Sequence, residues 1–218
     1  MMGYTSREGL FFDMVGQTVE SESDVDFEKY VPNFFKVDPG SDLSKSIADK
    51  IKAFYLGNNY VLRNVKDKIC MLRTDTTFMR GIYSSVKHHA ATSSEPVFFY
   101  RFSVDAGLNM FKKMFKIDSP GACHADDLGY LFKNALPVYI ERNGIEDKTI
   151  RRMVKLWTNF AKTGDPNPIE GVTWRPAFQD EINFLDIAET LTMGENPENE
   201  RMKFWDDVFA LTPQTAKY

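Results

Sequence analysis

Cysteine is almost missing from this chain. Cys70 and Cys123 are the only two among 218 residues, too few for a disulfide framework and without metal-ligand spacing. This leaves the compartment open. Histidine is nearly as scarce, with three: His88, His89 and His124. No apolar run approaches the roughly 18 residues of a membrane-crossing helix, so no membrane span is expected. There is no basic run, and the net charge is -4, which argues against nucleic acid or an anionic surface as partner. Residues 1–7 lack the apolar core of a signal peptide. Repeats and low-complexity runs are absent. What remains is an ordinary globular composition, 43% hydrophobic and 27% charged, with length for one large domain or two small ones. The 18 phenylalanines imply a large core or an aromatic-lined pocket.

Along the chain, residues 1–5 read as the end of a strand. Thr5-Ser6-Arg7-Glu8 then has the T-x-x-E form of a capping box before a helix start at 9–15. Glu8 therefore has an ordinary explanation, although Gly9 suits a helix poorly. Residues 17–26 read as an acidic loop, and Pro32 to Gly40 as a second break. Asp42 is placed to cap a helix carrying Leu43, Ile47, Ile51 and Phe54 at spacings of four, four and three, ended by Gly57-Asn58-Asn59. Another helix is expected over 75–89, with Phe78, Ile82 and Val86 on one face. On it, the adjacent His88 and His89 point apart and face solvent.

Pro96 opens the best strand, residues 97–104. It is a nearly continuous apolar and aromatic run, as for a strand covered on both faces. Residues 108–115 are amphipathic and rich in Met and Phe; core packing is expected of them, with a helix over a pocket mouth as the alternative. Residues 147–163 read as a helix burying Ile150, Met153, Val154, Trp157, Phe160 and Ala161, stopped by Gly164 and the prolines beyond it. A strand at 182–187 and a helix near 198–211, with Met202, Trp205 and Phe209 inward, close the chain. Residues 212–218 read as a polar tail. Strands alternating with helices predict an α/β architecture with a mostly parallel sheet, in which functional groups lie in loops at the carboxyl ends of strands.

Ser119, Pro120 and Gly121 form a turn that delivers His124 to the start of a short helix. Leu128, Leu131 and Phe132 have the spacing of its buried face, and Asp126 and Asp127 occupy its first turn, where the helix dipole favours negative charge. The same dipole disfavours an imidazolium, so a histidine carrying a proton there needs a carboxylate beside it. An acid behind an imidazole is how a catalytic triad meets that need. A single histidine can equally well pack or hydrogen-bond. Glu8 follows one strand and His124 another, so one crevice can hold both, in the acid-before-histidine order of an α/β-hydrolase.

Five stretches then resemble, in order, the C-terminal part of a type-B carboxylesterase, the family of cholinesterases and insect α-esterases. Gly3-Tyr4-Thr5-Ser6-Arg7-Glu8-Gly9-Leu10-Phe11-Phe12 resembles its acid loop. Gly121-Ala122-Cys123-His124-Ala125-Asp126-Asp127-Leu128-Gly129-Tyr130-Leu131-Phe132 resembles its histidine loop. Trp157-Thr158-Asn159-Phe160-Ala161-Lys162-Thr163-Gly164-Asp165-Pro166-Asn167-Pro168 is the most specific stretch. Phe184-Leu185-Asp186-Ile187 and Phe204-Trp205-Asp206-Asp207 resemble the closing strand and helix. The wording is most similar to the insect α-esterases. The resemblance implies that residues 1–218 are the C-terminal segment of an α/β-hydrolase fold. Glu8 would be the triad acid and His124 the general base. Phe11, Phe12 and Phe78 would line a pocket for a small hydrophobic ester, and Asp127 would give structural support. No cofactor and no metal are implied.

One departure matters. No G-x-S-x-G occurs, and neither Ser84-Ser85 nor Ser93-Ser94 has the glycines that a strand-to-helix elbow needs. A glycine-rich oxyanion loop is missing too. The expected partner is therefore the N-terminal half of the same fold, carrying the nucleophile. A second expectation is a truncated or adhesion-type interaction module without catalysis. A third is a hydrolase using Asp126, Asp127 and His124 as metal ligands.

Overall fold

The computed structural model describes residues 1–19, 23, 25–57, 65–133, 138–169 and 171–212. A four-stranded sheet forms its centre, in the order β1 (Met2–Thr5), β2 (Phe99–Phe102), β3 (Asn183–Ile187) and β4 (Leu191–Glu195). The first two pairings are parallel, with Thr5 opposite Phe102 and Phe102 opposite Ile187. β4 returns antiparallel on β3. The sheet is thus mostly parallel, as expected, and β4 is an edge strand that the sequence reading did not anticipate.

Side chains alternate across the sheet, as a strand's two-residue period dictates. Phe99, Phe184 and Tyr4 enter one core, with Ile47 and Ile51 of α2 (Asp42–Leu56) and Trp205 of α7 (Asn199–Ala210). Phe98, Phe102, Leu185 and Ile187 enter the other, with Met153 and Leu156 of α6 (Ile145–Thr163) and Trp174. Both faces of β2 are therefore covered, which explains its continuous apolar run. Phe99 is completely buried, and truncating such a ring to alanine costs about 3–5 kcal/mol.

Several elements differ from the sequence reading. Ser41, not Asp42, caps α2, accepting from the Ser44 N–H at 3.2 Å, and Phe54 is partly exposed while Tyr55 and Leu56 are buried. The helix expected from residue 75 already begins at Val65: α3 (Val65–Thr74) runs through a π turn (Asp75–Met79) into α4 (Arg80–Thr92). The buried stripe of α6 is Thr149, Met153 and Leu156, flanked by Ile150, Trp157 and Phe160, whereas Val154 and Ala161 are exposed. Those two lie about 140–160° round the helix from Leu156. Residues 110–115 form α5 (Met110–Phe115), but they do not pack as core. Its lysine Lys112 is buried, while Met114 and Phe115 are exposed.

Gly57 and Gly164 end their helices at positive φ. His88 and His89 face solvent. Thr212 is buried; residues 213–218 of the expected tail, Asn58 and Asn59, and residues 20–22 and 24 of the acidic loop lie outside the described residues.

Candidate active site

Two loops at the carboxyl ends of adjacent parallel strands meet here. β1 delivers a 3₁₀ turn (Glu8–Leu10) and α1 (Phe11–Met14). β2 leads through α5 to the histidine loop and a second 3₁₀ turn (Asp126–Tyr130). The loops are stitched together by backbone and side chain. The Arg7 N–H donates to the Ala122 carbonyl at 2.9 Å, and the Ala122 N–H donates to Ser6 Oγ at 3.1 Å. Gly121 permits this approach. Its φ is +95°, and a Cβ there would stand 2.4 Å from Arg7 Cγ.

Glu8 is buried and uses both carboxylate oxygens. Oε1 accepts the Thr5 N–H at 2.7 Å, and Oε2 lies 2.6 Å from His124 Nδ1. The T-x-x-E contact is thus half made. The Thr5 hydroxyl has no partner among the described residues, so it does not return the capping bond. The contact with the Thr5 N–H, which lies in β1, and the pairing with the histidine are not alternatives: one oxygen serves each. With Nδ1–H donated to Glu8, Nε2 is the acceptor nitrogen. Nε2 has no hydrogen-bond partner among the described residues, and the imidazole side chain is 43% exposed. The hydrogen bond to Glu8, opposed by partial burial, raises the His124 pKa above its ordinary value.

A non-glycine residue in the left-handed region turns the chain directly after His124. Ala125 has φ +64°, a strain of about 1 kcal/mol or more. Asp126 holds that turn in place. It is fully buried and accepts the Cys123 N–H at 2.8 Å, the Phe111 N–H at 3.1 Å and Asn109 Nδ2 at 3.1 Å. Burial pushes its pKa up to about 6. Asp127 accepts the Tyr100 hydroxyl at 3.1 Å, and burial raises its pKa too.

Of the expected buried face of this turn, Leu131 alone packs against the core. Leu128 and Phe132 are exposed, and the turn buries Asp126, Gly129 and Tyr130 instead. A 3₁₀ turn has three residues per turn, so the four-residue spacing read from the sequence does not apply.

The three expected pocket residues surround the imidazole or its neighbour. Phe78, carried by the π turn, lies over the His124 ring with centroids 4.7 Å apart. Phe11 meets that ring edge-on at 5.7 Å, and Phe12 meets Phe11 edge-on at 5.8 Å. Cys70 and Cys123 are buried free thiols packed with Leu10; burial raises the Cys70 pKa to about 11 and that of Cys123 further. No group of three His, Cys, Asp or Glu side chains among the described residues could hold a metal ion. No helix among them is long and apolar enough to cross a membrane.

A mostly parallel sheet with helices packed on both faces is the architecture of the α/β-hydrolase class. The fold agrees with that of juvenile hormone esterase from Manduca sexta, at TM-score 0.77 and 20% identity over 96% of this chain and 40% of that one. The carboxylesterase family model matches residues 1–205, and the chain belongs to that family. Bile salt-activated lipase of Mus musculus is 30% identical over 158 residues, which are 69% of this chain and 25% of that protein. Esterase E4 of Myzus persicae is 28% identical over 66% of this chain and 27% of that protein. The chain thus spans about a quarter of the length of these relatives.

Proposed function

We propose that this chain is the C-terminal segment of a carboxylic ester hydrolase and supplies the acid and the base of a Ser-Glu-His triad. The observation that supports it most is the Glu8–His124 contact at 2.6 Å, with Glu8 anchored on the Thr5 N–H and Nε2 left free to accept. The nucleophilic serine and the oxyanion donors would come from the N-terminal half of the same fold, since these 218 residues contain no G-x-S-x-G.

In this reading His124 Nε2 takes the proton from the serine hydroxyl as its oxygen attacks the ester carbonyl carbon. Glu8 holds the imidazole in the required tautomer and stabilises the imidazolium. The tetrahedral intermediate collapses, Nε2 hands the proton to the departing alkoxide, and an acyl-serine remains. Water, deprotonated by the same nitrogen, then releases the acid. Phe11, Phe12 and Phe78 form the apolar wall against which a small hydrophobic ester rests. Its chemistry calls on no metal or organic cofactor.

The test uses the intact enzyme that contains this segment. A serine-directed phosphonate should label it covalently, and Glu8→Gln should reduce kcat by about 10⁴, the cost of the acid-to-amide change in a well-studied triad. Glu8→Gln turnover near the unsubstituted value would refute the assignment. The isolated chain should take no label.

A further inference from the structure

Phe12 also borders a cavity of about 550 Å³. That is within the range of small-molecule sites. Its walls include Phe12, Gln17, Tyr30, Arg73, Thr76 and Thr77. Arg73 stands out. Only 8% of it is exposed, yet among the described residues it has no carboxylate partner. Nε donates to the Tyr30 hydroxyl at 3.0 Å, Nη1 donates to the Gln17 carbonyl at 2.7 Å, and the guanidinium sits 4.8 Å from the centre of the Phe12 ring. All three are neutral partners. A guanidinium has five N–H donors, and these contacts use only two.

A charge this buried is costly unless an opposite charge joins it. Among the described residues, the other charged walls do not supply one. Asp26 is on the rim, accepting the Glu28 N–H at 3.1 Å and facing Lys29 at 3.8 Å, and both side chains are more than half exposed. The cavity also adjoins the candidate site through shared walls. Phe12 touches Phe11, which touches His124. Thr77 is followed directly by Phe78, which covers His124.

We propose that this cavity is a subsite for a carboxylate, and that the substrate class is esters bearing an anionic carboxylate remote from the scissile carbonyl, such as half-esters of dicarboxylic acids. This rests on the esterase reading above. The guanidinium's free N–H groups match a carboxylate in charge and planarity. The aromatic wall of Phe11 and Phe12 takes the alkyl spacer between the ester and the anion.

The test is a binding measurement on the 218-residue chain, which needs no serine. Hexanoate and hexanamide have the same shape and differ in charge. Calorimetric titration at pH 8 should give hexanoate at least a tenfold lower Kd than hexanamide, with the preference shrinking as salt rises. Arg73→Gln should abolish the preference and Arg73→Lys keep part of it. Should Arg73→Gln fail to fold, the Arg73 Nε–H resonance of the unsubstituted chain should shift with hexanoate and not with hexanamide. A competing explanation, an ion pair with protonated His124, predicts that His124→Gln loses the preference; the Arg73 subsite predicts that it is kept. Equal or undetectable binding of both probes, or a preference that survives Arg73→Gln or vanishes in His124→Gln, overturns the subsite. None of those results touches the Glu8–His124 assignment, which turnover of the intact enzyme tests separately.

Discussion

Gly9 lies so close beneath Cys70 that a Cβ at position 9 would stand 2.1 Å from the Cys70 carbonyl oxygen. The Gly9 N–H donates to Thr74 Oγ1 at 2.9 Å, and that hydroxyl donates to the same Cys70 carbonyl at 2.8 Å. The turn bearing Glu8 is therefore seated directly on the backbone of α3. Gly9→Ala should push it off, destabilising the chain by about 1–3 kcal/mol as other overpacked sites do. In the intact enzyme the shift of Glu8 should cost on the order of 10² in kcat, the scale of a 1 Å misplacement. Thermal unfolding of Gly9→Ala, read beside its turnover, checks both. An alanine variant as stable as the parent would mean that the turn is not seated this way.

The contact with Glu8 raises the His124 pKa above the ordinary 6.5. The imidazole should therefore titrate above that value in the folded chain, and Glu8→Gln should bring it down. For stability the sign follows from the direction. A raised folded-state pKa means that the pair's contribution is complete below about 6.5 and is lost as pH rises through the folded value. The Tm difference between the parent and Glu8→Gln should thus shrink with rising pH across that window. In the proposed triad, kcat/KM of the intact enzyme should rise with pH through the same group, because only a neutral imidazole can accept a serine proton. Following the His124 Cε1–H resonance with pH gives the pKa directly. A value at or below 6.5 in the parent would contradict the geometry.

Asp126 should matter more to the fold than its neighbour Asp127. Three donors converge on its buried carboxylate, and removing it leaves them unsatisfied at about 1–3 kcal/mol each. Asp126→Ala should therefore cost at least about 3 kcal/mol and loosen the strained Ala125 turn that aims His124. Asp126→Asn, which keeps one acceptor oxygen, should cost less. The pH signature is opposite to that of an ion-paired carboxylate. Because burial lifts the folded pKa from 3.8 to about 6, this group favours the folded state at acid pH and costs stability as pH rises between those values. Denaturant titrations of the parent and Asp126→Asn between pH 4 and 7 should diverge with that sense.

How much of this was legible in the sequence depended on the kind of contact. Glu8, His124, Phe11, Phe12 and Phe78 were all named from sequence, and the fold gathers them at one place. Glu8, Phe11, Phe12 and His124 lie in stretches that resemble the family, and Phe78 lies outside them. The helix α3 was missed because its buried face mixes Val65, Ile69 and Leu72 with Arg73 and Thr74, which blurs the apolar period. Leu128 and Phe132 share a buried face only on an α-helix, and the chain makes a 3₁₀ turn here. The role of Asp126 had only a weak local signal, since of its donors only the Cys123 N–H is near in sequence, while Asn109 and Phe111 are brought to it by the α5 connection. Arg73 was silent for the same reason: Gln17 and Tyr30, which fix its direction, are remote in the chain.

β1 pairs with β2 on one side, and the sheet order leaves its other edge open among the described residues. Beside that edge lies an open, mostly apolar groove of about 580 Å³, walled by Met1, Met2, Phe78, Ile82, Tyr100 and Trp157. An unpaired strand flanked by apolar side chains invites pairing with another chain. In the proposed function the occupant is the N-terminal half of the fold, whose nucleophile would then stand near His124. The chain alone should therefore bind a hydrophobic dye strongly and self-associate as concentration rises. Met2→Lys, on the edge strand, should reduce self-association by putting charge on the exposed edge. Adding the N-terminal half as a separate polypeptide should quench the dye signal and create a site that reacts with a serine-directed phosphonate. The two effects should share one concentration dependence, since both report the same docking. A monomeric chain that ignores the dye would sink the prediction, and so would a dye signal that the N-terminal half leaves unchanged.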